Sequence, residues 1–165
     1  MNLLFVPLFF LQIYAGDLDA SIAVLQKNYN LVKKVNNKFN VDKDKVLSIV
    51  APEISRWVSF NDYVETKALE LLYISKGYEY CNFSIGYFQM KPKFIEDLEE
   101  YILKNNLDSS YSLKDLLIDR DIPPKKQRKI RLKRLKSFEW QLVYAYAFYV
   151  IAEHRFRIIR FENNR

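Results

Sequence analysis

An all-α fold is what this sequence predicts, and three observations carry it. Turn-forming residues are scarce, apolar residues recur at helical spacing along most of the chain, and helix ends are marked by proline, glycine and capping side chains. The chain has 165 residues, about one domain of ordinary size. It holds 3 Gly and 5 Pro, too few to punctuate the many tight turns of a β-sandwich or barrel. Half of the residues are apolar, and 12 Phe, 12 Tyr and 2 Trp supply the bulk of a packed interior, which excludes a disordered chain.

The helices follow in order. Leu18, Ile22, Leu25, Tyr29, Val32 and Phe39 recur at steps of three, four or seven, the spacing of one buried stripe. Asp42 is placed to cap a second helix running through Val46, Ile49 and Val50 toward Pro52, where the ring removes a backbone donor and predicts a kink or an end beside Glu53. A third helix is predicted over Asp62 to Lys76, with Val64, Ala68, Leu71 and Leu72 inward and Gly77 as its stop. An irregular stretch from Tyr78 to Met90 leads to a helix opened by Pro92, with Phe94, Ile95, Leu98, Tyr101 and Ile102 on it. Ser112 and Asp115 have capping-box spacing ahead of Leu116 and Leu117. After Pro123 and Pro124 comes a basic segment, then Phe138 to Phe156, apolar nearly all round, which predicts a central buried helix near the C-terminus.

Residues 1–16 carry no charged side chain and contain the apolar run Leu3 to Leu11, the length of a signal-peptide core and short for a membrane span. The expectation is a leader over residues 1–16, cleaved after Ala15 or Gly16, and one mature domain over residues 17–165. That implies a periplasmic or extracellular address and no transmembrane span in the mature chain. Cys81 is the single cysteine, so no disulfide within the chain and no multi-cysteine metal site is available.

Lys and Arg number 26 against 20 Asp and Glu, a net charge of +6. Eight of the twelve positions from Lys125 to Lys136 are basic, with Ile130, Leu132 and Leu135 between them. Three readings fit. The run is a solvated face beside a core helix, a nucleic-acid site, or a surface drawn to an anionic cell-wall or membrane polymer. No aromatic residue interleaves it for base stacking, which speaks against specific nucleic-acid recognition.

Among the residues that could carry chemistry, Glu53 stands out in Ile49-Val50-Ala51-Pro52-Glu53-Ile54-Ser55-Arg56-Trp57. A carboxyl in apolar company is disfavoured in its charged form, which suits a general acid that protonates a leaving oxygen. The structural alternative is an ion pair with Arg56. Glu65, three residues after Asp62, fits a helix cap and is the possible second carboxylate. Glu139 is placed to pair with a basic residue of the preceding segment. His154 is the only histidine, which gives no basis for a triad or a zinc site.

The second feature is Phe83-Ser84-Ile85-Gly86-Tyr87-Phe88-Gln89-Met90-Lys91-Pro92. A Glu at the end of an apolar helix, followed downstream by Ser-x-Gly-x-Phe-Gln-Met and a proline-started helix, resembles the lysozyme-like domain of the peptidoglycan lytic transglycosylases. The likeness runs from about Val46 to Leu98. It implies Glu53 as the catalytic acid, with Ser84, Gly86, Phe88 and Gln89 at the substrate, and with Tyr87, Tyr144 and Tyr146 as candidates for lining the sugar groove. Glycine permits close backbone approach and the Gln amide offers both a donor and an acceptor. The resemblance further implies cleavage between N-acetylmuramic acid and N-acetylglucosamine with one essential carboxylate, in lytic or hydrolytic form, with no metal or organic cofactor. Tyr144-Ala145-Tyr146 stands for the family's Ala-Tyr-Asn-like run without its Asn. A catalytically silent glycan-binding or scaffold protein of the same fold is therefore one alternative, and a basic helical nucleic-acid binder is the other.

Overall fold

The computed structural model describes residues 18–56, 59–107 and 113–163, with side chains for all of these except 56–62 and 161–163. The expected leader and Ser112 lie outside them. The described residues are helical apart from connecting turns and one isolated antiparallel bridge, Ile85 with Met90. The all-α class is as the sequence predicts.

Helix α1 (residues 18–27) and helix α2 (Tyr29–Phe39) replace the single helix predicted at the start. The break falls at Asn28, whose side-chain amide donates to the Val24 carbonyl at 2.8 Å and so competes with the backbone ladder. As a result Leu18, Ile22 and Tyr29 are exposed, while Val32, Val35 and Phe39 are buried. Asn40 ends α2 in the left-handed conformation.

Helix α3 (Lys43–Arg56) starts after Asp42, whose carboxylate accepts from the Asp44 N–H at 3.0 Å, as a cap should. Pro52 does not end it, and the helix continues through Glu53 to Arg56. Ser21 of α1 is fully buried and donates to the Ala51 carbonyl at 3.0 Å, tying α1 to α3 about half a turn before Glu53.

Helix α4 (Ser59–Ala68), a π-helical turn (Leu69–Tyr73) and helix α5 (Ile74–Lys76) run without interruption to Gly77 at φ +98°. Asp62 lies inside this helix and is not its cap. The wider π turn rotates the face that follows it. Leu69 and Tyr73 are therefore the buried residues and Leu71 and Leu72, predicted inward, are exposed; Val64, also predicted inward, precedes the π turn and is exposed as well.

Pro92 opens helix α6 (Pro92–Lys104) and Pro124 opens helix α7 (Pro124–Leu135), both at the first position, where proline's missing donor costs nothing. Between them a short 3-10 turn spans Lys114–Leu116. Helix α8 (Phe138–Asn163) is the centre: it packs against α2, α3, α6 and α7, and residues 141–147 are buried without a gap. Each large apolar side chain it hides removes about 1.5–3 kcal/mol of exposure cost. Beyond Ala152 the helix emerges from the core, leaving Phe156, Ile158 and Ile159 exposed.

The arginines of α7 bolt it in place. Arg128 donates to the Ile74 and Ser75 carbonyls at 3.0 and 3.2 Å, and Arg134 to the Leu116 and Asp115 carbonyls at 2.5 and 3.2 Å. Arg131 grips the buried Glu99 of α6 through Nε and Nη2, the latter at 2.7 Å. Burial raises the pKa of the Glu99 carboxyl, although Arg131 pulls the other way.

Candidate functional site

Three successive requirements build the site. The first is the Ile85–Met90 bridge, in which Ile85 and Met90 exchange backbone bonds at 3.1 and 3.2 Å and Gly86 to Gln89 form the connecting loop. Gly86 has φ +74° and Gln89 φ +47°. The first is free for glycine, whereas the second is a left-handed conformation that a residue with a side chain adopts at a cost. What fixes it is local: Gln89 Nε2 donates to the Gly86 carbonyl at 2.9 Å, and Ser84 Oγ donates to Gln89 Oε1 at 3.3 Å. The Gln89 amide is thus held from both ends.

The second requirement is an anchor for the loop, and it comes from the centre of the molecule. Gln141, on α8 and 1% exposed, accepts from the Phe88 N–H at 2.9 Å and donates to the Ile85 carbonyl at 2.9 Å and the Leu135 carbonyl at 2.6 Å. These bonds pair the Phe88 N–H of the loop and the Leu135 carbonyl at the end of α7, and add a second donor to the Ile85 carbonyl beside the Met90 N–H. Gly86 lies against this amide so closely that a Cβ there would meet Gln141 Nε2 at 1.8 Å. The ring of Phe138 packs edge-on to both Tyr87 and Phe88, at 5.4 and 5.2 Å between centroids. Gln141 was not singled out from the sequence. The available signal was a lone amide inside an otherwise apolar helix run.

The third requirement is a partner surface. Helix α3 presents Ile49, Val50 and Glu53, spaced i, i+1 and i+4 on one face. With Phe88, Gln89, Met90 and Lys91 of the loop, Phe94 of α6 and Ala145 and Phe148 of α8, they line a cleft of about 330 Å³. Glu53 is half-buried there. The cleft therefore brings together the carboxyl and the loop amide, which lie far apart in the chain, inside walls that are mostly apolar. Such a site can offer a proton-transferring carboxyl, a fixed amide with donor and acceptor, and the Lys91 ammonium at its edge.

The other residues expected at the site fall elsewhere. Tyr144 and Tyr146 are fully buried and so cannot line a groove. Each sits on the inner faces of α8, and burial pushes both phenols up to about 12. Tyr144 accepts from Arg134 Nη1 at 3.5 Å, whereas the Tyr146 hydroxyl has no hydrogen-bond partner among the described residues. Tyr87 packs on Phe138 away from the lining of the cleft, and Ser84 and Gly86 shape the loop behind it. Ser55 donates back to the Pro52 carbonyl at 2.7 Å within its own helix.

Glu65 does not line the cleft either. Its charge is felt at buried Cys81, whose thiol is pushed up first by burial and further by Glu65. Asp115 pairs with Lys38 at 2.8 Å, and Glu139 pairs with Lys34 of α2 at 2.8 Å, not with the basic segment. His154 packs edge-on to Tyr101, its Nδ1 3.5 Å from the Tyr101 hydroxyl. No family model, curated protein or solved structure matches this chain.

Proposed function

We propose that this protein cleaves peptidoglycan glycan strands between N-acetylmuramic acid and N-acetylglucosamine, as a lytic transglycosylase with Glu53 as its acid. The observation that carries this reading is the cleft shared by Glu53 and the Phe88-Gln89-Met90 end of the loop. The carboxyl and the Ser-x-Gly-x-Phe-Gln-Met run are the two elements that resemble the family, and they meet at one place.

In this mechanism the Glu53 carboxyl gives its proton to the bridging oxygen as the bond from the muramyl C1 to that oxygen breaks. The carboxylate then takes the proton of the muramyl 6-hydroxyl while O6 bonds to C1, closing a 1,6-anhydro ring and restoring the acid. Water is not consumed. The substrate's own N-acetyl group stands in for the second carboxylate that most glycosidases supply. Gln89, fixed by Ser84 and the Gly86 carbonyl, is placed to hold a sugar amide or the catalytic carboxyl. Such a substrate lies outside the cytoplasmic membrane, which accords with the leader expected over residues 1–16.

The test is Glu53→Gln, which keeps shape and removes the transferable proton. Release of soluble fragments from purified peptidoglycan should fall by at least about 100-fold, with the melting temperature little changed. Glu65→Gln is the control and should leave release near wild type. Activity that survives Glu53→Gln and vanishes in Glu65→Gln would place the acid on α4 and not on α3. Wild-type protein that binds the polymer and releases nothing would make it a silent binder of the same fold.

A further inference from the structure

Helix α7 sorts its cations by type. Its three arginines, Arg128, Arg131 and Arg134, all turn to the protein and are consumed by carbonyls of α5 and the 3-10 turn and by Glu99. Four lysines, Lys125, Lys126, Lys129 and Lys133, are exposed and form no hydrogen bond or ion pair among the described residues. At 100° per residue these four fall within an arc of about 100°, along roughly 12 Å of helix axis, opposite the side that carries Arg128, Arg131 and Arg134.

This arrangement is unfavourable on its own. Lys125 with Lys129, and Lys129 with Lys133, are like charges four residues apart, each pair opposing the helix. Lys125 and Lys126 also sit in the first turn, where a positive charge works against the helix dipole and where no acidic residue offsets it. The rest of α7 shows that the protein can neutralise its cations when it does so for stability. Here it leaves them open.

We infer that the Lys125, Lys126, Lys129 and Lys133 face of α7 is a docking surface for a flexible phosphodiester polymer without bases, of the poly(glycerol phosphate) kind. Lysine ammonium groups are compact, hydrated point charges that attract phosphates without fixing their orientation, whereas the arginine forks that read phosphate or base geometry face inward. No aromatic residue lies between Lys125 and Lys136 to stack a base. Because α7 is held by its arginines, the charged row is presented on a rigid support. The surface is separate from the Glu53 cleft, none of whose lining residues comes from α7.

The full chain should be titrated with synthetic poly(glycerol phosphate) and with a single-stranded oligonucleotide of equal charge, at increasing sodium chloride. Four phosphate contacts predict a log–log slope of about −3, a loss of about 50-fold for a fourfold rise in salt. Replacing Lys125, Lys126, Lys129 and Lys133 by Gln should remove a slope of about 3. The same four-charge change made at exposed Lys27, Lys33, Lys104 and Lys114 should leave the slope near its starting value. Glu53→Gln should bind the polymer like wild type, so the outcome here is independent of glycan cleavage. Equal losses in the two lysine variants, or no binding at low salt, would overturn the proposal. So would tight, salt-resistant binding of the oligonucleotide in preference to the polymer, which would make the face a nucleic-acid site.

Discussion

A methyl group added to Gly86 would lie 1.8 Å from Gln141 Nε2 and would also have to adopt φ +74°. Neither demand can be relaxed alone, because Gln141 cannot withdraw without stranding the buried Phe88 N–H. Gly86→Ala should therefore cost at least about 2 kcal/mol in urea unfolding and displace the loop that carries Gln89. Gln141→Leu, close in size but without the amide, should cost about 1–3 kcal/mol, since it leaves the buried Phe88 N–H unpaired. A cost below about 1 kcal/mol for Gln141→Leu would mean that the loop finds other partners. Tyr146 is the opposite case, a fully buried hydroxyl with no partner among the described residues. Tyr146→Phe should be neutral or stabilising by about 1 kcal/mol. Burial raises this phenol from 10.0 to about 12, so the fold prefers the protonated form. The stability that this preference contributes is complete below pH 10 and is lost as pH rises through 12. Tyr146→Phe should remove that part of the alkaline loss, which pH-dependent melting measures.

At the scale of elements, the join between α6 and α7 rests on Arg131 and Glu99, both buried, with Glu96 adding a longer contact at 3.6 Å to Arg131 Nη1 and accepting from Tyr73 at 2.7 Å. Arg131→Met should destabilise the protein by about 3–5 kcal/mol in urea, because Glu99 then stays buried without its counter-charge. Adding Glu99→Leu should recover most of that loss, and a double variant no better than the single one would show that the pair is not coupled. Much of this scale was legible in the sequence where a residue has one physical meaning. Pro92 and Pro124 open helices, Gly77 closes one, Asp42 caps one, and the apolar run after Phe138 is the central helix. What could not be read depends on competition between local and tertiary bonds. The Asn28 side chain breaks the first helix, and the π turn at Leu69–Tyr73 rotates the buried face away from Leu71 and Leu72. The same holds for the aromatic residues. Tyr144 and Tyr146 are tyrosines on a helix whichever way they point, and only packing shows that they serve the core.

Across the whole molecule, the candidate site exists because α8 crosses the core and holds the loop with Gln141 while α3 lays Glu53 along the other wall. Residues 53, 88, 89 and 148 share one cleft although nearly a hundred positions separate the first from the last. Glu53 and the loop were both legible as motifs and the resemblance implied that they share a site, but the Gln141 anchor was not legible, since it leaves no local pattern. The central claim is that this cleft cleaves glycan strands by intramolecular attack. Mass analysis of the fragments that the purified protein releases from peptidoglycan tests it most directly. The account predicts muropeptides ending in 1,6-anhydro-muramic acid, each lighter by one water than a reducing-end product, and their disappearance with Glu53→Gln. Reducing ends would contradict the lytic mechanism while keeping a glycosidase, and the absence of any released fragment from wild-type protein would contradict cleavage itself.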